Sequence, residues 1–104
     1  MSSFGKYLKE QREKKKWTQT EFGAKIGINT SAISRIENGT QKFSKSKLTK
    51  LSILLNIEEL KLRDKFFADK FAREAKKYGC SESIFSVAAE TAEYLRSHNS
   101  KATA

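Results

Sequence analysis

Between Phe4 and Leu60 no helical pattern runs for long. Apolar residues return at three- and four-residue spacing, and the runs are cut by Gly27, Gly39 and Asn56. Glycine takes the left-handed conformation that ends a helix at no steric cost, and asparagine tolerates it better than most residues. No proline occurs anywhere, and the alternating pattern of strands is hard to find. A chain punctuated in this way folds as several short helices, too short to be stable alone, so packing between them must supply the stability.

Phe4 and Leu8 open a first helix that reaches about Lys15. Thr18 reads as an N-cap, and Glu21 three residues later completes a capping box. Phe22 and Ile26 form the apolar face of this second helix, and Gly27 ends it. Asn29 or Thr30 caps a third helix that runs to Asn38, with Ile33 and Ile36 inward, and Gly39 stops it. Thr40 to Phe43 read as a polar loop, after which Ser44 caps a fourth helix with Leu48, Leu51, Leu54 and Leu55 inward. Ile57 and Leu60 begin a fifth. Residues 1–60 are therefore expected to form an all-α domain of five helices.

The rest differs in character. Leu62, Phe66, Phe67, Phe71, Ala75 and Tyr78 lie in one amphipathic stretch that Gly79 breaks. Ser81 is expected to cap a last helix striped by Ile84, Phe85, Val87, Ala88, Ala92 and Leu95. Residues 61–97 thus read as an extension of two helices, and residues 98–104 as a flexible tail. The extension could thicken the core of the first domain or pair with a second copy. Its Phe-rich stretch and stripe hold more apolar surface than one small domain covers, which favours a homodimer through these C-terminal helices.

Charge narrows the class of partner. The formal net charge is +9, a long-range field that attracts a polyanion. Residues 1–60 hold twelve Lys/Arg and six Asp/Glu, net +6, whereas from Ser81 onward the balance is −1. The positive field belongs to the first part of the chain. No apolar run approaches the roughly 18–20 residues that span a bilayer, so no membrane role is expected. The first residues lack the apolar stretch of a secretory signal, and the single Cys80 permits no internal disulfide, which together suggest the cytoplasm. One histidine and one cysteine cannot build a usual zinc site. With no activated nucleophile, catalytic carboxylate pair or phosphate-cradling loop, catalysis is not expected, and neither is a cofactor. No small-molecule effector site is evident.

Helix two, a short turn and helix three span Thr18 to Asn38, the proportion of a helix-turn-helix. With Ile33 and Ile36 inward, Thr30, Ser31, Ser34 and Arg35 must point outward. Short hydroxyls and a guanidinium can read base edges without blocking entry into a major groove roughly 12 Å wide. The plainer alternative is a merely solvated face, but this one lacks the Glu–Lys decoration usual there. The run Lys14-Lys15-Lys16 reads equally as a phosphate-binding cluster or as a helix end favoured by the dipole.

Phe4-Gly5-Lys6-Tyr7-Leu8-Lys9, Trp17-Thr18-Gln19-Thr20-Glu21-Phe22 and Ile33-Ser34-Arg35-Ile36-Glu37-Asn38-Gly39 resemble the Cro/cI-type (xenobiotic-response-element) helix-turn-helix regulators of bacteria and phages. The likeness covers about residues 4–60. It implies a five-helix lambda-repressor-like domain that binds double-stranded operator DNA, usually as a two-fold dimer. It also implies that Thr30, Ser31 and Arg35 read bases, with Ser34 near bases or backbone. Gln19, Asn38, Thr40 and Lys42 then grip phosphates, joined by the capping residues Thr18 and Asn29, while Arg12 and Glu37 form a structural charged pair. Three departures stand out: Gln11 where leucine is common, Lys16 where glycine often takes a left-handed turn, and Gly23 where alanine is usual. The expected function is a sequence-specific transcriptional regulator, a repressor on a palindromic operator. The alternative is an antitoxin-type protein-interaction module that also autoregulates its operon.

Overall fold

A computed structural model describes the backbone of residues 3–103 and the side chains of residues 3–98. The described residues form helices and turns with no strand: α1 (Phe4–Lys14), α2 (Gln19–Ile26), α3 (Thr30–Asn38), a 3-10 turn (Lys45–Lys47), α4 (Leu48–Leu55), α5 (Glu59–Lys77) and α6 (Ile84–Thr103). The all-α expectation holds. Contacts divide the chain into two compact units, residues 1–70 and 71–104. No described helix is long and apolar enough to cross a membrane.

In the first unit the core gathers Phe4, Tyr7 and Leu8 from α1, Phe22 and Ile26 from α2, and Ile33 and Ile36 from α3. Leu48, Leu51 and Leu55 of α4 and Leu62 of α5 complete it. The stops work as the sequence implies: Gly27, Gly39 and Asn56 all take the left-handed conformation at helix ends. α1 starts at Ser3, whose hydroxyl accepts from Lys6 N at 3.1 Å. The Asp69 carboxylate on α5 accepts from Phe4 N at 2.8 Å, so a residue 65 positions away closes the same helix end.

Some expectations about local structure are corrected. Phe43 is not part of a polar loop; it is buried, its ring 5.8 Å from that of Phe4. Ser44 makes no capping bond; its hydroxyl pairs with that of Ser46, and a 3-10 turn precedes α4. The expected fifth helix and the first helix of the extension are one continuous α5, since no breaker lies between Glu59 and Lys77. The boundary expected at residue 60 therefore falls inside a helix. Within α5, Leu62 and Phe66 share the inward face, and Leu60, about 200° around the helix from Leu62, is exposed.

The second unit pairs the end of α5 with α6 across the turn at Gly79. Phe71 and Phe85 meet edge to face at 5.6 Å. Phe85, Val87, Tyr94 and Leu95 nonetheless remain largely exposed. α6 begins at Ile84, three residues beyond the expected cap Ser81, and continues through Thr103. The stretch expected as a tail is thus helical as far as it is described, and Ala104 lies outside the described residues.

Lys16 follows α1 at φ 61°, the left-handed region that a side chain other than glycine's enters at a cost of about 1–2 kcal/mol. Lys16→Gly should raise stability by about 1 kcal/mol, read as a higher denaturation midpoint in urea. An unchanged or lower midpoint would contradict the strain.

Candidate nucleic-acid interface

The geometry starts at the head of α2. The Thr18 hydroxyl accepts from Glu21 N at 3.0 Å, while the Glu21 carboxylate accepts from Thr18 N at 2.7 Å. Hydrogen bonds from the Thr18 backbone and hydroxyl hold the Glu21 carboxyl below its ordinary value. At the other end Gly23 is the close point. Ile28 N donates to the Gly23 carbonyl at 2.9 Å, and a Cβ at Gly23 would strike the Ile28 carbonyl oxygen. Alanine, usual at this position in the family the sequence resembles, therefore does not fit here without a shift.

α3 starts one turn later, where the Asn29 side chain accepts from Ala32 N at 2.8 Å. Ala32, Ile33, Ile36 and Glu37 are buried. Thr30, Ser31, Arg35 and Asn38 are exposed and Ser34 is half-buried, as helical spacing requires. The Thr30 hydroxyl donates to that of Thr20 at 3.1 Å, linking the heads of α3 and α2. Arg35 lies neither in the interior nor against an acidic side chain; its Nε donates to Gln41 Oε1 at 2.8 Å.

Behind this face sits a buried polar knot. Arg12 Nε and Nη2 donate to the two Glu37 carboxylate oxygens at 2.7 and 3.0 Å. Its Nη1 donates to the Trp17 carbonyl at 2.9 Å. The Glu37 side chain is only 2% exposed, and hydrogen bonding to it raises the Arg12 pKa above its ordinary value. Gln19 Nε2 also donates to Glu37, at 3.0 Å. One buried carboxylate thus ties together α1, the turn after it, α2 and α3.

The residues expected to grip phosphate are distributed unevenly. Thr18 and Asn29 are occupied as helix caps, and Gln19 joins the Glu37 knot. Thr40 donates its hydroxyl to the Arg35 carbonyl at 3.3 Å. Asn38, the last residue of α3, and Lys42 beyond it stand exposed. Among the other lysines, Lys25 lies over the Trp17 ring at 5.0 Å. The Lys47 and Lys50 ammonium groups lie beside Gly27 at the C-terminus of α2, its negative pole. The sequence reading did not mark Thr20 or Gln41. The signal for Gln41 was its place two residues beyond a helix-ending glycine, where the chain folds back.

A helix-turn-helix family model, HTH_3, matches residues 8–62, more than half of the 104. The crystal structure of SinR, the master regulator for biofilm formation, in complex with DNA is 31% identical. That match covers 59% of this chain and 98% of the other, with a TM-score of 0.51. SinR in its complex with SinI is 25% identical over 90% of this chain and 98% of the other, also with a TM-score of 0.51. A search of curated protein sequences returns no significant match.

Glu37→Leu should cost about 3–5 kcal/mol, because it strands a buried guanidinium. The double variant Arg12→Met/Glu37→Leu should recover part of that loss. Urea unfolding of both and of wild type gives the comparison, and a double variant no more stable than the single would contradict the pairing.

Proposed function

The chain belongs to the helix-turn-helix family of the xenobiotic-response-element type, and on that premise we propose that it is a DNA-binding transcriptional regulator that represses by occupying a palindromic operator as a homodimer. The observation that carries this reading is the two-sided chemistry of α3. Ile33, Ile36 and Glu37 fasten it to the core, while Thr30, Ser31, Ser34 and Arg35 line its outer side. Such a helix enters the major groove with hydroxyls and a guanidinium toward the base edges.

Phosphate contacts then come from Asn38, the last residue of α3, from Thr40 and Lys42 beyond it, and from Thr18, Gln19 and Asn29 at the heads of α2 and α3. The Asn29 cap keeps spare hydrogen-bonding capacity, because its side-chain oxygen does the capping and its amide nitrogen has two N–H groups. The charge supports this assignment. Residues 1–70 carry sixteen Lys/Arg against eight Asp/Glu, net +8, whereas residues 71–104 carry five against four. Binding is accordingly salt-dependent through release of counterions.

The dimer rests on the second unit. Phe85, Val87, Tyr94 and Leu95 present apolar area on α6 that a second copy would remove from water at about 25 cal/mol per Å². Two half-sites about 34–36 Å apart would then be read together. The similarity to SinR in its complex with SinI, over 90% of this chain, favours a second reading in which these helices hold a different protein. The mass of the pure protein separates the two.

Arg35→Ala should weaken operator binding about 5- to 100-fold and relax one base position, with circular dichroism unchanged. Selection of duplexes from a random pool by both proteins checks this, and identical selected sequences would overturn the assignment. Deleting residues 81–104 should convert a dimer to a monomer in sedimentation, whereas an unchanged mass would contradict the dimer surface.

A further inference from the structure

Arg35 has an unusual share of the hydrogen bonds at the end of α3. Its carbonyl accepts from Thr40 N at 2.9 Å, from Gln41 N at 3.3 Å and from the Thr40 hydroxyl at 3.3 Å. This wrapping needs a reversal at Gly39, which sits at φ 82° and ψ 10°, where glycine alone is unstrained. The reversal brings Gln41 back over the last turn, and its Oε1 accepts from Arg35 Nε at 2.8 Å. The loop thus holds both the main chain and the side chain of the same residue.

We propose that Gln41 is a positioning residue that selects which edge of the Arg35 guanidinium meets the DNA. Guanine offers two acceptors in the major groove, O6 and N7, and an arginine can address them with its Nε and one Nη or with its two Nη groups. Gln41 occupies Nε, so the Nη pair is left to face the base end-on. An amide does this without charge. It steers the guanidinium yet leaves its full positive charge for the DNA, whereas a carboxylate in its place would compete with the phosphates. Holding a long, exposed side chain in one arrangement before binding also lowers the entropy lost on binding. The inference rests on the reading of α3 as the base-reading helix.

The test compares dissociation constants for the selected operator and for the same duplex with the Arg35-dependent base pair replaced. Gln41→Met, similar in length but without the acceptor, should lower the ratio of the two constants about three- to tenfold. Gln41→Glu keeps the acceptor, and it should preserve the ratio within about twofold while weakening binding to both duplexes through repulsion. In an Arg35→Ala background, Gln41→Met should have no further effect on the ratio. An unchanged ratio in Gln41→Met, equal losses in Met and Glu variants, or a loss that persists without Arg35 would each overturn the role of Gln41. Those outcomes leave the reading of α3 standing if Arg35→Ala alone still relaxes a base position. If wild type prefers no sequence at all, the reading of α3 fails and this inference with it.

Discussion

The first unit is organised around a single buried carboxylate. Glu37 accepts two bonds from Arg12 and one from Gln19, while the remaining arm of Arg12 holds the Trp17 carbonyl. Removing both charges from water carries a desolvation cost that only full hydrogen bonding offsets, and no buried side-chain nitrogen or oxygen among the described residues lacks a partner. The planar fork of arginine suits this junction, because it reaches a carboxylate in two places and a carbonyl in a third. Lysine's three donors sit on one nitrogen, so it could not present the same flat, spread-out fork to a carboxylate and a separate carbonyl. The contribution is therefore largely one of geometry: the pair sets where α3 lies against α1 and α2.

Close packing follows the same line. A Cβ at Gly5 would strike the Ile36 carbonyl oxygen, so α1 and α3 approach nearly backbone to backbone at that point. α3 is short, and its exposed face contributes little to the core. Its stability is supplied from behind, by Ile33, Ile36 and the Glu37 knot, which leaves Thr30, Ser31 and Arg35 exposed and Ser34 half-buried on the outer side. Under the proposed function, this separation lets Thr30, Ser31, Ser34 and Arg35 be chosen for what they touch outside the protein. It also predicts that their substitution changes recognition more than folding.

Much of this was legible in the sequence, because caps and stops are local. The Thr18–Glu21 box, the left-handed Gly27, Gly39 and Asn56, the strained Lys16 and the Arg12–Glu37 pair all stand as expected. What escaped depends on distance in the chain. Phe43 reads as loop because its partners, Phe4 and the core beyond, lie far away in sequence. Leu60 and Leu62 both look inward by composition, and only the register of a continuous α5 separates them. In the sequence Gly23 is only a departure from the usual alanine, and it is the turn at Ile28, outside the helical periodicity, that leaves no room for a Cβ there. Gln41 carried no periodic signal, since it sits outside every helix.

Methylation interference on the selected operator probes the central geometry most directly, because guanine N7 lies in the major groove and adenine N3 in the minor groove. The account predicts that methylating a guanine N7 in each half-site abolishes binding, while methylation at adenine N3 within the half-sites leaves it intact. Interference confined to adenine N3, or none at any guanine, would contradict a helix that reads the major groove through Arg35.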